Sequence, residues 1–216
     1  MDRKIALIAL MVVATIALIW LSLGGRNPGS FEQLPPADLS ANPVRPALPP
    51  GHPEVPGDSS GAVAAPDFTI KDLQGRSLSL HELKGKAVLL NFWSTTCFPC
   101  LMEMPSLAKL NQLMAGKPFQ IMAITADSKR AVEAFLKENP LALPIYLDPE
   151  HQAHDQFGVY MFPESYIVGP DGNVANRVIG AADWSHASVL SYFDQLLAPK
   201  SPSPPATSPA GKPTAP

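Results

Sequence analysis

Both cysteines of this 216-residue chain lie in one four-residue stretch, residues 97–100 (CFPC), and the residues on either side of it constrain the fold. An almost continuous apolar run, residues 86–93 (KAVLLNFW), precedes the stretch, as expected of a central strand buried on both faces. After it, leucine and methionine recur at three-residue steps from Leu101 to Leu113, close to the helical period. The two cysteines are therefore expected at the junction between a buried strand and a helix.

This junction suits redox chemistry. Cys97 would stand at the helix N-terminus, where free backbone N–H groups and the helix dipole favour a thiolate. Cys100 would lie three residues further along on the same face, so that the two sulfur atoms can meet. Pro99 fits the first helical turn, where no backbone N–H is missed. We interpret the motif as a thioredoxin-like redox pair, with Cys97 and Cys100 as catalytic residues.

Two structural alternatives account for the cysteines less well. A structural disulfide closing so small a ring would add only about 2 kcal/mol by the loop-entropy model. A structural zinc site needs four ligands, and the five histidines show no finger-like pairing with the cysteines. We expect His151 and His154 to be exposed helix residues instead. The sequence predicts no metal and no cofactor other than a redox-active disulfide between Cys97 and Cys100.

The pattern of residues 66–198 alternates strands and helices. Ser128 is expected to cap a helix that ends before Pro140, and Asp171-Gly172 is a strong hairpin signal. Further strands are predicted in DFTI, FQIMAITA and PIYLD, a hairpin in ESYIVGPDGNVANRVIG, and helical segments in SLSLHEL, SKRAVEAFLKEN, PEHQAHDQF and WSHASVLSYFDQLL. This order predicts an α/β domain with a central mixed β-sheet flanked by helices on both faces.

Proline marks the segments outside this domain. Ten of the 25 prolines fall within residues 24–66 and seven within residues 199–216, where large apolar residues are few. Such segments cannot bury enough surface to offset the entropy cost of ordering the chain. We therefore predict a flexible linker over residues 24–65, one folded domain over residues 66–198 and a disordered tail over residues 199–216.

The N-terminal residues 1–23 are predicted to form a short cytoplasmic stub and a membrane anchor. Residues 5–23 contain no charge and are long enough to cross a bilayer as a transmembrane helix. Two cations precede this stretch and only Arg26 follows closely, which places the N-terminus in the cytoplasm. A cleavable signal peptide is the alternative, with small residues at 22 and 24, but the apolar stretch exceeds the usual length of such a peptide. We favour an uncleaved anchor.

The domain resembles a known family along most of its length. The stretches APDFTIKDLQGRSLSLHELKGKAVLLNFWSTTCFPCLMEMP, FGVYMFPESYIVGPDGNV and GAADW are similar to the TlpA/ResA/DsbE-like family, membrane-tethered disulfide reductases of the bacterial cell envelope. The GVYxxPES portion resembles the cytochrome c maturation branch. The resemblance covers essentially all of residues 66–197. It implies a thioredoxin fold with Cys97 as nucleophile and Cys100 as resolving cysteine.

The resemblance also implies roles outside the cysteine pair. Pro163 matches the cis-proline of the family, so backbone groups of Phe162 would pair with an incoming chain alongside Cys97. Glu103 matches a family glutamate, and its helical spacing places it on the face of Cys100, where it can accept a proton. The alternative for Glu103 is a solvated helix glutamate. Because KAVLLNFW offers no carboxylate, Glu103 is the local candidate base.

The surface that contacts a substrate is assigned to five residues: Trp93, Phe98, Pro99, Phe162 and Pro163. Two neighbours of the motif depart from the family pattern. Thr96 stands where an aromatic residue is usual, and Leu101 stands where a basic or polar residue is common. Phe98, Phe162 and Met161 predict a more apolar rim around the cysteine pair than the family usually has.

We therefore expect a membrane-anchored thiol:disulfide oxidoreductase that acts as a reductase, with its catalytic domain in the periplasm. The resemblance implies protein substrates such as apocytochrome c or a copper-site protein. It also implies a DsbD/CcdA-type membrane electron donor, because the periplasm is kept oxidising. Residues 66–197 hold 10 Lys and Arg against 14 Asp and Glu, without a basic stripe, which argues against nucleic-acid binding.

Two other functions are kept as alternatives. The first is Cu(I) binding by the two cysteines with Met102, Met104 or Met161, a soft ligand set. The second is a peroxiredoxin, because the APDFTIKDLQGRSLSL opening also resembles that family. Peroxiredoxins carry a P-x-x-x-[TS]-x-x-C signature, and here Leu90 takes the place of the proline when the count starts from Cys97.

Overall fold

The computed structural model describes residues 34–39 and 63–199. The predicted membrane anchor, most of the predicted linker and the tail beyond residue 199 lie outside these residues. Within the described part of the chain, no helix combines the length and the apolar character needed to span a membrane.

The described elements follow the predicted alternation of strands and helices. The strands are β1 (Thr69–Asp72), β2 (Ser77–Ser79), β3 (Ala87–Phe92), β4 (Phe119–Thr125), β5 (Ile145–Leu147), β6 (Glu164–Val168) and β7 (Val174–Ile179). The helices are α1 (Phe98–Leu113), α2 (Lys129–Glu138), α3 (Gln152–Phe157) and α4 (Ala187–Leu197), with a 3-10 helix at Leu80–Leu83. Ser128 caps α2 as predicted, because its side chain accepts the N–H of Ala131.

Within residues 63–199 the strands form one mixed sheet in the order β2-β1-β5-β4-β3-β6-β7. The central strand β3 runs parallel to β4 and antiparallel to β6. Its six residues are all buried, as the apolar run predicts, and alternate between the cores on the two faces of the sheet. The register pairs Phe92 with Glu164. The end of β3, which leads to the cysteines, and the start of β6 therefore lie at the same end of the sheet.

Helix α1 buries a stripe that differs slightly from the predicted one. Met104, Leu107 and Leu110 are buried, but Leu113 is 44% exposed and Met114 is buried in its place. A step of three residues turns a helix by about 300°, so repeated steps drift around the axis. A step of four from Leu110 to Met114 returns the chain to the core.

The prediction that His154 is an exposed helix residue is wrong, whereas His151 is exposed as expected. His154 is only 3% exposed, and its Nδ1 lies 2.7 Å from Oδ2 of Asp148, which is also buried. The same carboxylate oxygen accepts the backbone N–H groups of Ala153 and His154. Asp148 therefore caps the N-terminus of α3 from the protein interior. Its contact with Nδ1 holds the His154 ring in the interior as well.

The prediction of an uninterrupted flexible linker is wrong for residues 34–39. In this stretch Asp183 N–H donates to the carbonyl of Pro35 at 2.7 Å, and Ala37 N–H donates to the carbonyl of Asp183 at 3.4 Å. Ala37 is 5% exposed and packs in the core on the α4 side of the sheet. Its small side chain fits a buried position within a segment that otherwise consists of proline, leucine and one aspartate.

Candidate active site

The cysteine pair stands at the start of α1. A disulfide joins Cys97 and Cys100, whose Cα atoms are 5.3 Å apart. Cys97 is the N-cap residue, and its Sγ accepts the backbone N–H of Cys100 at 3.2 Å. Cys97 is partly exposed, whereas Cys100 is fully buried. Another protein can therefore reach the first sulfur from outside, while the second must react from within the fold.

The loop that carries Cys97 is fixed by a carboxylate from the neighbouring strand. Asp127, just after β4, accepts the backbone N–H of Thr95 at 2.6 Å and the hydroxyl of Ser94 at 3.2 Å. Because β3 and β4 are parallel, their C-terminal ends meet, and the residues that follow them become neighbours. Asp127 is not among the predicted site residues, although its place just after a buried strand was a usable signal.

The carboxylate of Glu103 lies in the protein interior, on α1 one helical turn beyond Cys100. Its side chain is 1% exposed. Oε1 accepts the amide of Asn91 at 2.7 Å, while Oε2 accepts Ala182 N–H at 3.1 Å and Trp184 Nε1–H at 3.0 Å. The alternative of a solvated helix glutamate is therefore wrong. All three donors are neutral, so no cation compensates the carboxylate.

Burial raises the pKa of Glu103 to about 7, against hydrogen bonds from Trp184, Asn91 and Ala182 that lower it. The site also accommodates the protonated acid. Asn91 Oδ1 is buried without a partner, and turning this amide over would let it accept a hydrogen bond from protonated Glu103. The carboxyl group is therefore suited to take up and release a proton near neutral pH.

The peptide bond between Phe162 and Pro163 is cis, which confirms the conformation predicted for Pro163. Pro163 itself is buried. Large apolar side chains are exposed before it and at the start of α1: Tyr160 (57%), Met161 (45%), Phe162 (39%) and Phe98 (71%). Pro99 is exposed as well. An apolar rim of the predicted kind is thus available to a protein substrate at these positions.

The assignment of Trp93 to the substrate-contacting surface needs correction. Its side chain is completely buried and packs with Cys100 and Met104, and its ring lies 5.5 Å from that of Phe135. Trp93 ends the apolar run that enters the sheet, so it belongs to the core beneath α1. Its contribution is to support Cys100 from below.

The methionines of the copper alternative occupy different environments. Met104 is 1% exposed in the core, Met102 is half-buried and Met161 is exposed. Among residues 34–39 and 63–199, no group of three or more His, Cys, Asp and Glu side chains is placed to hold a metal ion. Copper binding therefore remains a prediction from the residue types alone.

Several residues around Glu103 were not identified from the sequence. Asn91 carried a signal, because it is the polar residue in the apolar run KAVLLNFW. Its amide also donates to Ser165 Oγ at 3.0 Å. Trp184 and Ala182 lie about 80 positions along the chain from Glu103, and pattern analysis cannot pair residues across that distance.

Comparisons with known proteins agree with this geometry. The model of the AhpC/TSA family matches residues 62–177, just over half of the chain. The chain is 38% identical over 117 residues to the thiol-disulfide oxidoreductase ResA of Bacillus cereus, covering 54% of this chain and 68% of the relative. It is 36% identical over 136 residues to ResA of Bacillus subtilis, covering 62% of this chain and 74% of the relative.

A solved structure shows the same fold. A candidate thiol:disulfide interchange protein DsbE from Chlorobium tepidum superposes with a TM-score of 0.57 at 25% identity, covering 62% of this chain and 95% of that one. Sequence relatives and structural neighbour thus point to the same chemistry as the cysteine pair. The chain belongs to the AhpC/TSA family and is a thioredoxin-fold thiol-disulfide oxidoreductase of the ResA/DsbE type.

Proposed function

We propose that this oxidoreductase is a membrane-anchored disulfide reductase that works outside the cytoplasm. The observation that carries the proposal is the buried carboxylate of Glu103, one helical turn from a redox pair of which only Cys97 is exposed. A pKa of about 7 suits a base that must accept a proton and release it again in each cycle.

The first step is attack of the Cys97 thiolate on a disulfide of the substrate. The bond formed joins Cys97 Sγ to one substrate sulfur, and the substrate S–S bond breaks. The other substrate sulfur leaves as a thiolate and takes a proton from solvent. The helix N-terminus stabilises the attacking thiolate. The side chains of Phe98 and Phe162 are exposed and would contact an apolar stretch of the substrate during this step.

The second step resolves the mixed disulfide. Cys100 loses its proton to Glu103, and the resulting thiolate attacks Cys97 Sγ. The bond between Cys97 and the substrate breaks, and the second substrate sulfur leaves as a thiolate. Two electrons have then passed to the substrate, and the disulfide between Cys97 and Cys100 remains. A dithiol donor must reduce it before the next cycle.

The proposed location and partners rest on the sequence and on the family resemblance. Residues 5–23 are long and apolar enough for a membrane anchor, which would place the catalytic domain in the periplasm. In that compartment a reductase needs electrons from a membrane donor of DsbD/CcdA type. The substrates that we propose are the disulfide of an oxidised apocytochrome c or that of a copper-site protein.

The redox state of the cysteine pair in living cells tests the direction of electron flow. Free thiols would be trapped by alkylation in cells with and without the membrane donor. We expect Cys97 and Cys100 to be mostly reduced with the donor and oxidised without it. A pair that is oxidised in both strains would contradict the reductase function. Rapid peroxide consumption by the purified chain would instead support the peroxiredoxin alternative.

The role of Glu103 is tested by Glu103→Gln in the full chain. We expect resolution of a mixed disulfide at pH 7 to slow by about 100-fold or more, because general-base catalysis is lost. Stopped-flow release of the substrate thiol measures this step. Glu138→Gln on the exposed side of α2 is the matched control and should change nothing. Equal rates in both variants would remove Glu103 from the mechanism.

A further inference from the structure

The segment of residues 34–39 contacts the same short stretch of chain that binds Glu103. This stretch, residues 182–184, is called the 182–184 strip below. Ala182 and Trp184 each donate a hydrogen bond to Oε2 of Glu103, at 3.1 Å and 3.0 Å. Between them, Asp183 forms an isolated parallel β-bridge with Pro36. One strip of three residues thus joins the buried carboxylate to the proline-rich segment.

The two sets of hydrogen bonds leave the strip on opposite sides. Asp183 N–H donates to the Pro35 carbonyl at 2.7 Å, and the Asp183 carbonyl accepts Ala37 N–H at 3.4 Å. In extended chain, successive residues point to opposite sides, so the groups of residues 182 and 184 face away from those of residue 183. The pairing of Asp183 with the 34–39 segment on one side therefore orients the Ala182 and Trp184 donors on the other side.

Packing holds both sides of the strip in place. Ala37 is 5% exposed and lies in the same buried cluster as Ala182 and Trp184. On the opposite side, Ser106 Oγ accepts Trp184 N–H at 3.0 Å and donates to the Ala182 carbonyl at 3.3 Å. The strip thus lies between α1 and the 34–39 segment. A third contact fixes the end of the segment, because Asn176 Nδ2 donates to the Leu39 carbonyl at 3.2 Å.

We propose that residues 34–39 are a positioning segment for Glu103, which holds the donors of Ala182 and Trp184 against its carboxylate. The inference rests on the proposed function for the catalytic use of that carboxylate. With the segment in place, two donors stabilise the ionised form of Glu103. Without it, the strip loses its outer support, and burial favours the protonated form up to a higher pH.

Few other charged groups lie on the elements around Glu103. Cys100 titrates on the same helix once the disulfide is reduced. Asp183 carries the central charge of the strip, and its Oδ1 accepts bonds from Ser185 rather than facing Glu103. On β6, Glu164 is paired with Arg177 of β7. Asp183 is the one of these groups that the segment contacts, and the bonds between them are made by its backbone N–H and carbonyl. A shift in the titration of Glu103 would therefore report on the 182–184 strip.

The test is a pair of glutamine substitutions in the full chain. Ala37→Gln places a large polar side chain at the buried position and displaces the segment. Pro36→Gln places the same side chain at the neighbouring exposed position and is the matched control. Neither variant adds a charge. Carboxyl carbon NMR of the oxidised protein gives the titration midpoint of Glu103 directly, with Glu103→Gln used to assign the signal.

We expect a higher midpoint for Glu103 in Ala37→Gln and an unchanged one in Pro36→Gln. A rise of the midpoint by one pH unit from about 7 would lower the ionised fraction of Glu103 at pH 7 about fivefold. Resolution at pH 7 would slow by about the same factor. Raising the pH to 9 should restore the rate. A purely structural role would lower the melting temperature without moving the midpoint, and that result would overturn the proposal.

The two proposals fail separately in this design. If Glu103→Gln resolves mixed disulfides at the rate of the unmodified chain, the catalytic role of Glu103 is lost, yet the NMR midpoints still decide whether the segment positions it. If Glu103→Gln is slow but Ala37→Gln matches Pro36→Gln in both midpoint and rate, the positioning role is excluded and the catalytic role stands.

Discussion

Glu103 and Glu164 are both buried at the same end of the sheet, on opposite faces of it, and their environments differ in one respect. Glu164 has a cation as its partner: Arg177 Nε and Nη2 each lie 2.7 Å from its Oε1. Glu103 receives hydrogen bonds from the neutral groups of Asn91, Ala182 and Trp184. In the pair of Glu164 and Arg177, two opposite charges compensate each other. Glu103 has neutral donors only, so its carboxyl group can gain or lose a proton without breaking an ion pair.

The pKa of Arg177, the partner of Glu164, is raised, which favours its charged form. Burial alone would lower the pKa of Arg177, but the hydrogen bond and charge of Glu164 outweigh burial and raise it. Tyr160 and Tyr166 add to this environment, with the guanidinium 5.5 Å and 5.4 Å from their ring centroids. A buried acid thus serves structure when a cation accompanies it. It is available for proton transfer when its donors are neutral.

The largest effect should come from removing the cation from the first pair. Arg177→Met leaves the Glu164 charge buried and unpaired, and we expect a loss of about 3–5 kcal/mol in the free energy of unfolding at pH 7. Denaturant unfolding measures it. Adding Glu164→Gln to this variant should recover much of the loss, because the unpaired charge at position 164 is then gone.

Arg76→Met is the matched control for this prediction. Arg76 also pairs with an acid, Asp72, but its side chain is 79% exposed, so solvent replaces the lost interaction. Its effect should be much smaller. Similar losses in Arg76→Met and Arg177→Met would show that burial does not distinguish the two pairs.

The second prediction concerns the pH dependence contributed by Glu103. Its pKa in the folded state, about 7, lies above the ordinary value of 4.5, so the folded state binds the proton more tightly than the unfolded state does. The stability that this proton contributes is complete below pH 4.5 and is lost as the pH rises through 7. The loss corresponds to about 3 kcal/mol by linkage.

Unfolding of the oxidised chain between pH 4.5 and 8.5 measures this slope. Glu103→Gln keeps an acceptor for the strip and an amide for Asn91 but cannot ionise, so its stability should vary much less over the same range. Glu138→Gln again serves as the exposed control. A slope that survives in Glu103→Gln would place the titrating group elsewhere.

The order of strands and helices could be predicted from the sequence because it depends on local patterns. The apolar run of β3, the N-cap at Ser128 and the turn at Asp171-Gly172 each determine an element within a few residues. The cysteine pair and the cis bond at Pro163 follow from a short motif and from the family resemblance. None of these features depends on which distant residues meet.

The remaining features depend on contacts between distant parts of the chain. His154 looked like a surface residue because its burial depends on Asp148, whose carboxylate points into the fold. Residues 34–39 looked like free linker because the partners of their backbone, Asp183 and Asn176, lie far along the chain. Trp93 is predicted at the substrate-contacting surface, but it is completely buried and packs against Cys100 and Met104 of α1.

The smallest predicted effect concerns the buried carboxylate of Asp148. Its partners are intermediate between those of Glu103 and Glu164, because two are neutral backbone N–H groups and the third is a histidine ring that can carry a charge. Burial would raise the pKa of Asp148, but hydrogen bonds and charge from His154 and the N–H of Ala153 outweigh burial and lower it. This contribution to stability is present above the ordinary pKa and is lost as the pH falls through the lowered value. His154→Phe removes the ring donor while filling a similar volume, and should cost about 1–2 kcal/mol at pH 7.

His154→Asn is the matched variant, because its amide can donate to Asp148 from a position close to that of Nδ1. We expect the loss of stability on acidification below pH 4 to be weaker in His154→Phe and largely kept in His154→Asn. Acid unfolding curves followed by circular dichroism compare the variants. If His154→Phe keeps the full acid slope, the two backbone N–H groups alone hold the Asp148 charge, and the imidazole is a packing residue. Asp148 would then resemble Glu103 in relying on neutral donors, and the contrast between cation-paired and neutral-paired acids would rest on Glu164.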